Sequence, residues 1–210
     1  MVTLSIEFIK SFLSLSVISI SFIIKFPQII RIYKSKSAKG ISLFSLCLGI
    51  CRLSIVGTYN YCHGYSILMY LECPLILFQD SILLYFVLKH NNLLKIDVIL
   101  LSFLACFIIF MFMVGILPKI ILEYIIVICP ALNLISRFSQ VFKIVQLKNA
   151  GAVSLNTWIL TSYVAFARVC THLMDSRDKL LLLNPVTGFL GSISIVFSTL
   201  YYQNKVKKSQ

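Results

Sequence analysis

Six ionisable residues sit inside strongly apolar stretches of this 210-residue chain: Lys25, Arg52, Glu72, Asp80, Arg137 and Arg168. A charge in hydrocarbon is costly, so such residues pair, reach the interface, or handle ions and solutes. Four are bases and two are acids. A helical rise of about 1.5 Å per residue puts Lys25, Asp80 and Arg137 about 12 Å from the more basic ends of their runs. The same rise puts Arg52 at about 16 Å, and Glu72 and Arg168 at about 22–24 Å. These depths allow Asp80 to pair with Lys25 or Arg52, and Glu72 with Arg168. Two cations are then left without an internal acid. They snorkel to the interface on long stems, meet carbonyls freed at kinked helices, or attract an anionic group such as a lipid phosphate or carboxylate. Glu72 and Gln79 are seven apart and share one helical face, with Asp80 to its side. That face suits a cationic solute or a proton relay. It equally suits helix-to-helix bonding with Arg52 or Arg168. His63, His90 and His172 fall near loops and read as solvated.

The elements that must hold these charges are membrane helices. The chain is 59% hydrophobic and 12% charged, with a mean hydropathy of +0.95. That composition excludes a soluble globular domain. Apolar runs of about 20 residues recur, each long enough to cross a hydrocarbon core of about 30 Å. Too little chain remains outside them for a soluble catalytic domain. The formal net charge of +12 does not imply nucleic acid. Its lysines and arginines cluster in short loops, which orients a membrane protein and attracts anionic lipid. The cysteines lack zinc-ligand spacing and read as small apolar residues; Cys62 and Cys73 flank one short loop, where oxidation is feasible. No glycine-rich phosphate loop, nucleophile elbow or metal cluster occurs, so no enzyme, metal or cofactor is expected. The first apolar run lacks a basic flank and cleavage site and reads as a retained helix.

Seven spans fit, at roughly 8–33, 41–61, 66–88, 94–115, 119–145, 153–173 and 180–202, with ends uncertain by about 2–4 residues. Loops after the first, third and fifth spans, with the tail, hold eleven Lys and Arg; the opposite side holds Lys10, Lys119, Arg177 and Lys179. The richer side is cytosolic by the positive-inside rule. The N-terminus is then lumenal and the C-terminus cytosolic.

Residues 137–155 repeat residues 25–43 at an offset of 112, with seven of 19 positions identical. This marks an internal duplication. Spans one to three and five to seven form two parallel units, and the uncharged fourth span links them, a transporter architecture. The predicted divisions are residues 1–92, a linker helix at 93–117, residues 118–203 and a basic tail at 204–210. In the first copy Lys25 and Phe26 precede Pro27-Gln28. The proline removes a donor and clashes with the preceding turn. The carbonyl near Ile23 must therefore find another partner, and Pro27 is the expected hinge. The second copy has Arg137, Phe138, Ser139 and Gln140. Serine bends a helix only slightly. Bending is therefore expected mainly in the first span, the fifth being stiffer unless Pro130 kinks it.

Lys-Phe-Pro-Gln followed by Lys-Ser-Ala-Lys-Gly-Ile-Ser-Leu resembles the first motif of the PQ-loop repeat family, and Arg-Phe-Ser-Gln with Asn-Ala-Gly-Ala-Val-Ser-Leu its second. Residues 64–80 resemble the third span of its solute carrier family 66 branch. The resemblance implies an all-α membrane protein of seven helices in a 3+1+3 arrangement on an intracellular membrane. Relatives export cystine and cationic amino acids or carry sugars, and one branch serves the use of dolichol-linked mannose. Asn184, beside Pro185, matches the place where members bind substrate; alternatively it satisfies a backbone group freed by the proline. Ser139 departs from the family's proline. Two functions follow. One is a transporter of a small polar solute, its cavity lined by Glu72, Gln79, Asp80 and Asn184. The other is an accessory factor for dolichol-phosphate-linked sugars, held by Lys25, Arg52, Arg137 and Arg168. The expected partners are membrane lipid, the solute or lipid-linked sugar, and further copies of the chain. Lys207 and Lys208 resemble a dilysine retrieval signal, which favours the endoplasmic reticulum, with endolysosomes next.

Overall fold

The computed structural model describes residues 2–148, 153–175 and 179–208, with backbone alone for residues 2–6, 175, 179–181 and 204–208. The described residues form helices and turns without strands. The helices are α1 (Val2–Ser21), α2 (Phe26–Ser35), α3 (Leu43–Cys62), α4 (Glu72–His90) and α5 (Ile96–Met113). They continue as α6 (Ile120–Ile126), α7 (Cys129–Leu147), α8 (Leu155–Asp175) and α9 (Lys179–Lys208). A short 3-10 turn, Ile67–Met69, precedes α4. Five passages are long and apolar enough to cross a membrane: Glu7–Ser35, Leu43–Cys62, Glu72–His90, Ile96–Met113 and Leu182–Gln203. The bent pair α6–α7 makes a sixth.

The helices are turned inside out relative to a water-soluble bundle. On α7, Asn133, Ser136 and Gln140 are buried while Ile135, Phe138 and Phe142 are exposed. On α8, Thr157, Arg168 and Thr171 are buried while Ile159, Phe166 and Leu173 face outward. Spacings of three and four put each set on one helical face. An apolar exterior suits hydrocarbon, where buried polar groups supply the helix-to-helix bonds. Helix α5 is the extreme case. It has no buried residue, and its main packing is along α3.

The duplication is visible in the backbone. α2 ends at Ser35 and α7 at Leu147; α3 begins at Leu43 and α8 at Leu155; both offsets are 112. Each of the first two helices ends on a left-handed lysine, Lys36 (φ 49°) and Lys148 (φ 48°). Each following helix starts at a serine cap. Ser42 Oγ accepts from Ser45 N (3.1 Å) and Ser154 Oγ from Thr157 N (3.4 Å). Packing follows the same rule. α4 contacts α1, α2 and α3, as α9 contacts α7 and α8. Across the two sets, α3 lies on α7 and α1 on α8.

Both copies are broken, and the breaks differ from expectation. The first lies at residues 22–25, so Pro27 sits in the first turn of α2, where its missing N–H costs nothing. Ile23 O accepts from Phe26 N (3.1 Å), which satisfies the carbonyl facing the proline. The sharper bend is in the fifth passage: α6 and α7 meet at 41°, while α1 and α2 run on as one 29-residue passage. The expectation of a stiffer, straighter fifth span is thus corrected. Pro130, in the first turn of α7, marks that bend; Ser139 lies in unbroken helix. Likewise, the third passage starts its α-helix only at Glu72, so Pro74 occupies a first turn and does not kink it.

Candidate functional site

Two small cavities lie between the helices of the two copies. The first, about 80 Å³, is walled by Lys25, Gln28, Arg52, Asp80, Arg137, Trp158 and neighbours. The second, about 130 Å³, is walled by Glu72, Arg168, Asn184, His172 and neighbours. Arg52, Leu53, Ile76 and Arg137 line both. The two arginines therefore stand at their junction.

The charges close into pairs from opposite ends. Lys25 Nζ lies 3.0 Å from Asp80 Oδ1. The contact is electrostatic and not aligned as a hydrogen bond, since that buried oxygen has no hydrogen-bond partner among the described residues. Arg168 grips Glu72 with both prongs: Nε donates to Oε1 (2.7 Å) and Nη2 to Oε2. Nη2 also donates to Leu68 O (3.3 Å). Such a two-pronged, charge-assisted grip is the strong form of this pair. Glu72 sits in the first turn of α4, where the helix dipole favours its charge. The bridge ties the first copy to α8 of the second.

Gln79 lies outside both cavities and is a clamp on the first break. Its Nε2 donates to Ser21 O (2.6 Å) and its Oε1 accepts from Lys25 N (2.9 Å). These are backbone groups that a helix break leaves without partners. The amide of Gln79, expected to line a substrate cavity, is here spent on the backbone of the break. Residues 79 and 80 together hold the break: one by its backbone, the other by the charge of Lys25.

Arg137 has a different neighbourhood. Its Nε donates to Asn133 Oδ1 (3.3 Å), and its guanidinium lies 5.0 Å from the ring centre of Trp158. Lys25 stands 5.9 Å from the same ring. The stem of Arg137 packs against Gly191, where a Cβ would come within 2.5 Å of its Cγ. Only glycine leaves that room on α9. Arg52 makes no hydrogen bond or ion pair among the described residues. Asn184 is reached by Asn133, whose Nδ2 donates to Asn184 O (3.0 Å), while Thr187 Oγ1 donates to the same carbonyl (2.9 Å). The carbonyl of Asn184 is thus engaged by side chains while the residue also lines the second cavity.

The glutamines of the two motifs behave unequally. Gln140 Nε2 donates to Gly40 O (2.7 Å), and its Oε1 accepts from Ser42 N (2.9 Å). Gln28 Oε1 is buried without a partner among the described residues. Its counterpart loop, residues 149–152, lies outside them. Ser139 does not bond back along its own helix. Its hydroxyl meets Ser42 Oγ (2.8 Å), and Ser45 Oγ meets Ser136 Oγ (3.0 Å). The residue that replaces proline thus ties α7 to the start of α3.

Asn133 and Trp158 escaped the sequence reading. Asn133 lies four residues before Arg137 inside an apolar run, which puts both on one face. Trp158 is the only tryptophan. His63 is not merely solvated: its Nε2 lies 3.2 Å from Glu123 Oε1 and its ring stacks on Tyr59. His172 also makes an interaction. Cys62 and Cys73 are free thiols. The side chains of Lys207 and Lys208 lie outside the described residues.

A family model described as the PQ loop repeat matches residues 9–69. Human solute carrier family 66 member 3 is 30% identical over 187 residues, covering 89% of this chain and 91% of that protein.

Proposed function

This chain belongs to the PQ-loop repeat family of multi-pass membrane proteins, and we propose on that footing that it moves a small polar solute across an intracellular membrane. The observation that carries the reading is the pair of cavities enclosed between the two copies, with all six interior charges on or beside their walls. The proposed arrangement is seven spans as 3+1+3. Six passages meet the length and hydropathy criteria; α8 is the seventh, its polar face inward and its apolar face outward. The backbone repeat at offset 112 and the paired packing of α3 on α7 and α1 on α8 support it. Enclosure by both copies is what alternating access about a central site requires. Here the broken passages, α1–α2 and α6–α7, would rock against the opposite copy. The basic loops face the cytosol in this reading, and the endoplasmic reticulum is the proposed compartment, with endolysosomes second.

Uptake into proteoliposomes, with a panel of anionic, zwitterionic and cationic solutes and an imposed pH gradient, tests it. Flux of at least one solute above protein-free vesicles is expected. Asp80→Asn should abolish any pH-driven component, because it removes an interior carboxylate whose Oδ1 has no hydrogen-bond partner among the described residues. A flat panel at either pH removes the transport reading.

A second reading is favoured by one observation, the two interior arginines left without a carboxylate. It is an accessory role in the use of dolichol-phosphate-linked sugars. Lipid-linked oligosaccharide profiles from cells lacking this chain decide it: truncated species support the role, and a normal profile removes it.

A further inference from the structure

We infer that the junction of the two cavities is an oxyanion site, where Arg52 and Arg137 together receive the carboxylate or phosphate of a small solute. This deepens the transport reading and rests on it for the solute's route, though not for its binding.

The two interior acids are already used. Glu72 is held by both prongs of Arg168. Asp80 is ion-paired with Lys25 at 3.0 Å, and its charge also bears on Arg137 from the same cavity wall. The direct contacts of Arg137 among the described residues are neutral: the amide oxygen of Asn133 and the face of Trp158. Arg52 has less still, and its positive charge bears on Arg137. Two like charges brought together among apolar walls repel, and the repulsion rises as water leaves. Arg137 does not snorkel outward in this structure: its stem packs against Gly191 of α9 and the residue lines the cavity. Guanidinium forks match oxyanions in geometry as well as charge. A further donor waits in the same wall: Trp158 Nε1 is buried and has no acceptor among the described residues.

The other wall groups set the anion's position. Among the described residues, Asp80 Oδ1 and Gln28 Oε1 are acceptors without hydrogen-bond partners, and their residues line the first cavity and not the second. They repel an anion and accept a donor. The anionic end therefore lies between Arg52 and Arg137, and a donor-bearing part of the solute points toward Asp80. Cavities of about 80 and 130 Å³ hold a small carboxylate or phosphate with a few waters, not a glycolipid head.

The test uses the full chain, purified in detergent, with thermal unfolding followed at constant ionic strength. Inorganic phosphate or malonate at about 10 mM should raise the midpoint by several degrees over chloride, since a ligand that binds only the folded state stabilises it. Arg52→Gln and Arg137→Gln should each weaken the apparent affinity at least tenfold, and Arg52→Lys should retain part of it. Should Arg137→Gln fail to fold, Arg52→Gln and Trp158→Phe carry the test, the latter predicted to weaken binding several-fold. No shift with either anion in the unaltered protein, or shifts that survive Arg52→Gln, overturn the site. A shift with dihexanoyl phosphatidic acid but with neither free anion overturns the small-solute form. Transport is scored apart. Anion binding without any flux removes the transport reading and keeps the site. Flux of an uncharged solute that is indifferent to Arg52→Gln, with no anion binding, removes the site and keeps transport.

Discussion

The Glu72–Arg168 bridge ties the two copies through a two-pronged charge pair, and both residues are more than nine-tenths buried. Removing one partner of a buried pair leaves the other charge stranded, at a cost of about 3–5 kcal/mol. Glu72→Ala should therefore lower the thermal midpoint in detergent sharply. The double change Glu72→Leu with Arg168→Met should recover most of that loss, because two apolar groups leave no stranded charge. If the double variant melts as low as the single one, the bridge is needed for more than charge balance. Gln79 works at the same scale on a different group. Gln79→Leu strips partners from Lys25 N and Ser21 O, each worth about 1–3 kcal/mol when buried and unmet. Faster amide exchange confined to residues 21–26 is the expected signature, read by mass spectrometry. Part of this chemistry was legible in the sequence: Glu72 was expected beside Arg168, and Asp80 beside either Lys25 or Arg52. That Gln79 serves the backbone was not, because nothing in a glutamine's type says whether its amide meets a solute or a helix break 54 residues away.

At the scale of the element, each copy is broken where a proline opens a helix, yet the breaks are not equivalent. In the first passage the break lies ahead of Pro27 and is clamped by Gln79. In the fifth, Pro130 supplies it ten residues before Gln140. Ser139 is free to sit in mid-helix and to bond Ser42. Ser139→Pro, which would restore the usual motif, should destabilise the protein by about 3 kcal/mol, through the clash and the lost helix bond. It also loses the 2.8 Å contact to Ser42. A thermal midpoint equal to that of the unaltered chain would show that α7 tolerates a second break. The positions of the breaks were half legible. A proline announces that a regular helix stops near it, but whether it kinks a helix or starts one depends on which carbonyls find other partners, and those lie on other helices.

For the whole molecule, the apolar exterior and the polar interior state the same fact twice: the solvent is hydrocarbon. The proposed orientation, with the basic loops in the cytosol, rests on the distribution of basic residues. A glycosylation sequon inserted next to Gly64, in the loop between α3 and α4, should be modified in cells. One inserted at Lys36–Lys39, between α2 and α3, should stay bare. Reversal of the two results would invert the topology, and modification of both would break the span count. The duplicated packing has a further consequence at this scale. With α3 on α7 and α1 on α8, each copy contributes a wall to both cavities, so a change on either side alters the same enclosed space.

The sequence by itself determined that this is an all-helical membrane protein built from a duplicated unit, with four interior bases against two acids. Those conclusions rest on periodicity, local run length and charge, all of which are properties of neighbouring residues. Tertiary structure decided which two bases go unpaired. It also turned Gln79 from cavity wall to clamp, moved the sharper bend to Pro130, and brought Asn133 and Trp158 to Arg137. Each of those depends on contacts between helices far apart in sequence, where a side chain's partner is chosen by how the helices cross.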